Sequence, residues 1–428
     1  MASRQVEAYL VPCLEHREAG ARRQLACESP PPHDADVIPA PETSRHVVGV
    51  MTGTSIDGMD AALVRIHGHG HAIRATLLRH LSRTLGPLQQ PLRNAANQQP
   101  MTAGEFTRLA WEFGRLHADV IDELTQQQLQ PDLVCVHGQT VFHQPPHSWQ
   151  LMNPAPISAR FGCPVVSDLR QADLAAGGQG APITPIADWI LFCDAGTSRA
   201  IINLGGFCNM TILPRSEEGP APGRAAASSP AVSPEMQQIQ GFDACVCNQL
   251  LDAIARDVLE KPFDENGEAA FRGRAKPQAV EELTSILARQ HKSKRSLGTG
   301  DEAMAWLKSQ RATMSGDDIA ASAVDAIASV IAQAARDHST DELILAGGGA
   351  RNRALVAAIA RHAGLPTRLS DELGVPIDAR EAMEFAVLGA LCADGVPITL
   401  PQVTGCTELA PLSGVWSLPC VPLHSHGH

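Results

Sequence analysis

From about residue 46 onward, apolar runs of strand length alternate with stretches whose apolar residues recur every three or four positions. Residues 46–51 (HVVGVM) and 61–66 (AALVRI) flank a turn rich in Gly, Thr, Ser and Asp, and residues 199–204 and 210–213 flank a Gly-Gly turn in the same way. The pattern predicts two strand–turn–strand units roughly 150 residues apart. A strand is predicted at 164–167 and a helix over 248–258; Ser315 predicts the cap of a second helix from about 316 to 336, where Ala320, Val324, Ile327 and Ile331 share one face. A strand at 342–346, a glycine triplet and a helix from about Asn352 follow. Strands interleaved with helices imply α/β architecture. No period of about 20–50 residues recurs, which excludes solenoids and propellers.

Two stretches break the pattern. Residues 1–45 carry a Pro-rich run and read as a disordered tail, and residues 214–238 (PRSEEGPAPGRAAASSPAVSPEMQQ) read as a low-complexity surface insertion. Lys+Arg 34 against Asp+Glu 46 leaves a net charge of −12, a field that opposes non-specific binding to nucleic acid or anionic lipid. Aromatic residues are only 4%, with Tyr9 the single tyrosine, too few for a base-stacking platform. No run reaches the roughly 18–20 consecutive apolar residues of a membrane span, and no basic-then-apolar leader opens the chain, so a cytoplasmic protein without a membrane partner is expected. The 11 scattered cysteines, without a CxxC pair, imply reduced thiols rather than a disulfide framework.

Several segments carry candidate chemistry. In residues 49–60 (GVMTGTSIDGMD), Gly53 and Gly58 let backbone N–H groups crowd a phosphate, Thr52, Thr54 and Ser55 add hydroxyl donors, and Asp57 or Asp60 can hold water around Mg²⁺. An ordinary tight hairpin uses the same residue types. No GxxxxGK[ST] occurs, which excludes the P-loop enzymes. The second turn, with Gly205, Gly206 and Asn209, offers the same backbone approach, so two such hairpins can grip a polyphosphate from both sides. The loop from Gly347, Gly348 and Gly349 to Asn352 lies between a strand and a helix, where amides and the helix dipole favour phosphate; glycines also serve there as plain punctuation. Residues 168–182 (DLRQADLAAGGQGAP) join Arg170 and Asp173 to a glycine-rich stretch able to recognise sugar hydroxyls and a carboxylate, or to close a surface ion pair. His137, Gln139, His143 and His147, with Asn153 nearby, lack the spacing of a metal motif; polar contacts to a ligand or to the core are expected, and no protein-ligated metal. Asp243, in a loop before the 248–258 helix, is a candidate general base or equally a capping residue.

In chain order GVMTGTSIDGMD, VHGQT, MNPAP, VVSDLRQADLAAGGQGAP, INLGGFCN, GFD, LAGGGARN and GVPIDAREAMEFAVLG form one pattern. From about Val47 to Gly405 the chain resembles the anhydro-N-acetylmuramic acid kinases, most specifically in SDxRxxDxAAGGQGAP. The resemblance implies a two-lobed actin-like ATPase (ribonuclease H-like) fold with a cleft between the lobes: residues 46–166 with 393–428 as one lobe and 167–392 as the other. It implies an ATP- and Mg²⁺-dependent kinase in peptidoglycan recycling, in which water attacks the anomeric carbon of a 1,6-anhydro sugar and the freed O6 takes the γ-phosphoryl group. On this resemblance Asp243 matches the catalytic carboxylate and Glu381 an acidic residue near the reacting centre. The segment from Gly53 to Asp60 matches the ATP-phosphate motif, and Gly205, Gly206 and the 347–349 triplet match further nucleotide turns. His137, Gln139, Asn153, Arg170 and Asp173 fall in sugar-side motifs. Levoglucosan kinases resemble the same family. A catalytically impaired nucleotide- or sugar-binding homologue is a third reading, because Ala244-Cys245-Val246-Cys247-Asn248 stands where the family has a small residue and Gly-Pro-Gly-Asn. The expected partners are ATP, the anhydro sugar and a second copy of the chain.

Overall fold

The computed structural model describes residues 44–53, 55–216, 233–292, 301–407 and 412–419. Thr54, residues 1–43 of the expected tail and 217–232 of the expected insertion lie outside the described residues. The chain enters an antiparallel meander of β1 (Ser44–Thr52), β2 (Gly58–His67) and β3 (Arg74–Thr84). There follow α1 (Gln89–Ala96), α2 (Ala103–Thr125), β4 (Leu133–Val136), a hairpin of β5 (Gln139–Gln144) and β6 (His147–Leu151), α3 (Ala155–Phe161), β7 (Val165–Ser167), α4 (Gln171–Ala175) and α5 (Pro185–Phe192). β4 pairs in parallel with β1, and β7 with β4.

The second half repeats the plan. β8 (Arg199–Leu204), β9 (Phe207–Leu213) and β10 (Gln240–Val246) form another antiparallel meander, followed by α6 (Asn248–Val258), α7 (Glu268–Arg272), α8 (Pro277–Lys292), α9 (Asp301–Gln310) and α10 (Gly316–Asp337). β11 (Glu342–Ala346) pairs in parallel with β8, and after α11 (Arg353–Ala363), β12 (Thr367–Leu369) pairs in parallel with β11. α12 (Arg380–Ala393), α13 (Pro401–Thr404) and β13 (Val415–Ser417) close the chain, β13 pairing antiparallel with β7. The sheet orders are β13-β7-β4-β1-β2-β3 and β10-β9-β8-β11-β12. Three antiparallel strands extended by two parallel ones, built twice, is the duplicated ribonuclease H-like arrangement.

Strands β4 (LVCV), β8 (RAIINL) and β11 (ELILA) are buried along their whole length, as expected of parallel strands covered on both faces. Alternation along β1 and β2 sends Val48, Val50, Ala61 and Leu63 into a core shared with α2. Val47, Ala62, Val64 and Ile66 enter a middle core that also receives Ile201, Leu213 and Ile344 from the second sheet, filled by α5 and α12. α6, α10 and α11 cover the remaining face of the second sheet. α10 is capped by Ser315, whose Oγ accepts from the Asp318 amide at 3.2 Å. It is long and apolar enough on average to cross a membrane, which a count of unbroken apolar runs overlooks, yet most of it is buried against its neighbours.

α12, placed by the sequence in the second lobe, lies against β1, β2 and β4. Glycine makes this possible: a Cβ on Gly49 would fall 2.0 Å from the Ala382 carbonyl oxygen and 2.4 Å from the Ala386 nitrogen. On the helix side, a Cβ on Gly389 would fall 2.5 Å from the Cys135 Cβ.

Candidate active site

β1, β4 and β7 run side by side in parallel, so the turns beyond their C-terminal ends bring Thr52, His137 and Arg170 to one edge, where open α/β sheets hold ligands. Arg170 donates from Nη2 to His137 Nε2 at 3.0 Å and from Nη1 to the Gly180 carbonyl at 2.7 Å. A guanidinium cannot accept, so Nε2 is the acceptor of a neutral imidazole; burial and the Arg170 charge draw the His137 pKa down to about 3. Burial lowers Arg170 itself to about 10, with Asp168 favouring its charge. Thr52 Oγ1, Gln139 Oε1 and Arg170 Nε are buried here without a hydrogen-bond partner. Three unpartnered polar atoms thus lie at the same edge of the first sheet.

Two sugar-side candidates are engaged within the fold. Asp173 is fully buried; its Oδ1 accepts from Thr404 Oγ1 at 2.6 Å and its Oδ2 from the Gly180 amide at 2.7 Å. A Cβ on Gly178 would fall 2.2 Å from that Oδ2. Asp173 therefore shapes the glycine loop that offers the Gly180 carbonyl to Arg170. Asn153 Oδ1 accepts from the Ala155 amide at 3.1 Å and opens α3.

On the second sheet, Asp243 opposes Asn209 and Asn209 opposes Asn203. Directly opposed residues project to the same face. Phe242 packs into the core on the far side, so the row Asp243–Asn209–Asn203 faces the first sheet. Asp243 thus lies within a strand, not in the loop the sequence suggested, and the residue that caps α6 is Cys247. A β-bulge follows at once, between Asp243 and Cys245, a device that re-aims side chains beside functional sites. None of residues 243–248 has a positive φ, so Cys245 and Cys247, at the glycine positions of the expected Gly-Pro-Gly-Asn pattern, and Val246, at its proline, need no left-handed backbone.

The Gly205-Gly206 turn receives the start of α6: the amides of Cys247 and Gln249 donate to the Gly206 carbonyl and that of Asn248 to Gly205. The triplet divides by role. A Cβ on Gly347 would fall 2.3 Å from Asn203 Oδ1 and one on Gly349 would fall 2.8 Å from the Leu204 carbonyl, whereas Gly348 is exposed with nothing within 4 Å. Gly347 and Gly349 are needed for packing against the hairpin; Gly348 is open to a ligand. Asn352 caps α11, its Oδ1 accepting from the Leu355 amide at 3.0 Å. On the first hairpin, Ser55 Oγ donates to Asp57 at 2.7 Å, and Gln89 and Arg93 of α1 hold the carbonyls of Ile56 and Ser55.

The two hairpins meet at the start of α12. Asn203 Nδ2 donates to Glu381 Oε1 at 2.9 Å, and Asp60, which accepts from Ser82, stands close enough to raise the Glu381 pKa further after burial has raised it. The Asp252 carboxyl on α6 is raised first by burial and also by the like charge of Asp57. One helical turn beyond Glu381, the Phe385 ring lies 5.1 Å from that of His137, which ties the first sheet's edge to the same helix. Beneath them Arg380 bridges Asp188 of α5 at 2.5 Å and Glu384 at 2.8 Å, while Thr211 Oγ1 donates to Asp188 at 2.6 Å. Sequence reasoning missed Asn203, Asp188 and Arg380. The one available signal was an amide at the end of an apolar run, AIIN, in β8.

The profile of the family described as Anhydro-N-acetylmuramic acid kinase matches residues 45–417. The anhydro-N-acetylmuramic acid kinase of Salinibacter ruber is 32% identical over 409 residues, covering 87% of this chain and 96% of that protein. That of Gloeobacter violaceus is 35% identical over 392 residues, covering 86% and 97%. Among solved structures, a ROK family glucokinase from Streptomyces griseus in complex with glucose and AMPPNP aligns with TM-score 0.36 and 14% identity, covering 80% of this chain and 99% of that one. The duplicated sheets together with the family match define a carbohydrate kinase. The chain belongs to the anhydro-N-acetylmuramic acid kinase family.

Proposed function

We propose that this protein opens the 1,6-anhydro bridge of anhydro-N-acetylmuramic acid with water and phosphorylates the released O6 from ATP, giving N-acetylmuramic acid 6-phosphate and ADP. The observation that carries the reading is the placement of Asp243 and Glu381 on the same face of the second sheet, on a row that ends at the glycine turns. Asp243 takes a proton from the attacking water, whose oxygen bonds to C1 as the C1–O6 bond breaks; O6 then bonds to the γ-phosphorus as ADP leaves. The leaving oxygen is captured by phosphorus, so one base suffices, and the rest of the catalysis is positioning and charge neutralisation. Glu381 orients the water. Gly53, Ser55, Asp57, Gly58, Asp60, Gly205, Gly206 and Gly348 line the path of the phosphates.

Mg²⁺ suits the neighbouring carboxylates Asp57, from the β1–β2 turn, and Asp252, from α6, because it binds through one or two carboxylates, water and phosphate oxygens; bound there it would supply neutralisation of developing phosphate charge. Among the described residues no three His, Cys, Asp or Glu side chains converge as a closed metal cage. We place the reaction in the cytoplasm, where ATP is available and the eight described cysteines, none in a disulfide, stay reduced.

One observation favours the muramic sugar over levoglucosan. Arg170 is a desolvated cation whose charge Asp168 favours, but its two hydrogen-bond acceptors, an imidazole and a carbonyl, are both uncharged, and its Nε is unpaired. Only the muramic sugar brings a carboxylate to it. The test uses the full-length protein with ATP, Mg²⁺ and either sugar, following ADP and sugar 6-phosphate. Turnover of the muramic sugar is expected, falling about 1,000-fold in Asp243→Asn with nucleotide binding retained. Arg170→Met is expected to raise KM for the muramic sugar alone. Binding without product in the wild type, or turnover confined to levoglucosan, overturns the proposal.

A further inference from the structure

Asn203 is the last polar residue of β8, 6% exposed, in a strand otherwise built for the core. Its amide is committed at both ends. Nδ2 donates across the middle core to Glu381 Oε1 at 2.9 Å, joining residues 178 positions apart, and Oδ1 occupies the space that a Cβ on Gly347 would need, 2.3 Å away. Gly347 has φ +78°, so its lack of a side chain serves both the turn and the room for Asn203. On the sheet, Asn203 is two strands from Asp243 by way of Asn209, a separation of roughly 10 Å. This one side chain therefore links the glycine turn after β11, the acid at the start of α12 and the row that carries the base.

We infer that Asn203 is a positioning residue that holds the Glu381 carboxylate in its working orientation and is itself locked by the turn at Gly347. The inference rests on the kinase reading above. An amide can donate to a carboxylate but cannot take its proton, so it fixes one oxygen, leaves the other free and favours the charged form. The groups that bear on Glu381 are Asp60 from β2, Asp188 from α5, and Arg380 and Glu384 on its own helix. Of these only Arg380 favours the carboxylate, so the Asn203 hydrogen bond is the neutral support for its charge.

The test measures kcat and KM against pH for the wild type, Asn203→Ala and Asn203→Asp, with ATP, Mg²⁺ and anhydro-N-acetylmuramic acid. In Asn203→Ala, kcat is expected to fall 10- to 100-fold, KM for ATP to stay within about threefold, and the limb of the profile that disappears in Glu381→Gln to move to higher pH. Asn203→Asp is expected to recover activity toward acid pH, where a protonated Asp donates the same hydrogen bond. A lower kcat with an unmoved pH limb in a normally folded Asn203→Ala protein overturns the inference, as does full activity. A readout independent of turnover is the infrared titration of the Glu381 carboxyl in ¹³C-glutamate-labelled protein, assigned with Glu381→Gln. If the wild type phosphorylates no anhydro sugar, the kinase reading fails on its own; an upward shift of that titration in Asn203→Ala still supports the Asn203–Glu381 link, and no shift refutes it.

Discussion

Removal of the Arg380 side chain is expected to be among the most damaging single changes to stability. The guanidinium is 3% exposed, against 0% for the Asp188 side chain and 1% for Glu384. Burial works against its charge, yet the two acids hold its pKa above that of a free arginine. The Glu384 carboxyl is driven well above its usual range by burial, with the Arg380 charge opposing that rise and neighbouring Asp188 adding to it. Arg380→Met leaves Asp188 with the Thr211 hydroxyl and no cation, and stranding a buried charge in this way costs about 3–5 kcal/mol. With a urea slope of about 3 kcal/mol per molar, the midpoint falls by about 1–2 M. The assay is equilibrium urea unfolding followed in parallel by tryptophan fluorescence and circular dichroism, so that a loss of two-state behaviour is seen. Asp188→Asn in the same chain removes the stranded charge, and the double variant is expected to recover about 1–3 kcal/mol relative to the sum of the single changes. An unmoved midpoint in Arg380→Met, or strict additivity in the double variant, refutes the account of this cluster.

Glu384→Gln is expected to flatten stability at high pH: a carboxyl raised by folding stabilises fully below its unfolded pKa near 4.5, and that contribution is lost as pH rises through the folded value, which calorimetric midpoints across pH measure. His117 has the opposite sign. It is fully buried and held near pKa 4, its Nδ1 donating to the Phe113 carbonyl at 2.8 Å, so stability is lost as pH falls from 6.5 toward 4, by about 3 kcal/mol in all, and His117→Leu removes that acid slope. Gly49→Ala, with its Cβ 2.0 Å from a backbone oxygen of α12, is expected to cost at least about 1–3 kcal/mol in thermal unfolding, while Gly348→Ala, in open space, leaves stability unchanged. Asp173→Asn replaces an acceptor of two hydrogen bonds by a group that offers a donor to one of them; amide exchange at Gly178 and Gly180 is expected to speed up markedly.

The sequence made the elements around the glycine turns legible because local chemistry decides them: a hairpin needs its turn residues beside its strands, and both β1–β2 and β8–β9 carry theirs. Ser315 was legible as a cap for the same reason. What lay beyond reach depends on partners far along the chain. Asp243 reads locally as a loop acid, and only pairing with Asn209 makes it part of a strand and gives it a face. Asp173 looks like a ligand-binding acid until Thr404, 231 residues later, takes its oxygen. Asn352 reads as a phosphate-loop residue, while its side chain serves α11. The packing of α12 on β1 turns on Gly49 and Gly389, whose spacing to their contacts no local pattern reveals.

The late return of α12 to β1 sets a timetable for biogenesis. The surface of β1 around Gly49 leaves the ribosome about 340 residues before Gly389, the helical residue that seals the same layer. At about 5–20 residues per second, that interval is roughly 20–70 s, during which one face of β1, β2 and β4 lacks the cover of α12. A gene fragment ending before α12 would therefore yield a sticky, incomplete product rather than a free-standing lobe, and slowing translation late in the message would lengthen the nascent chain's reliance on chaperones.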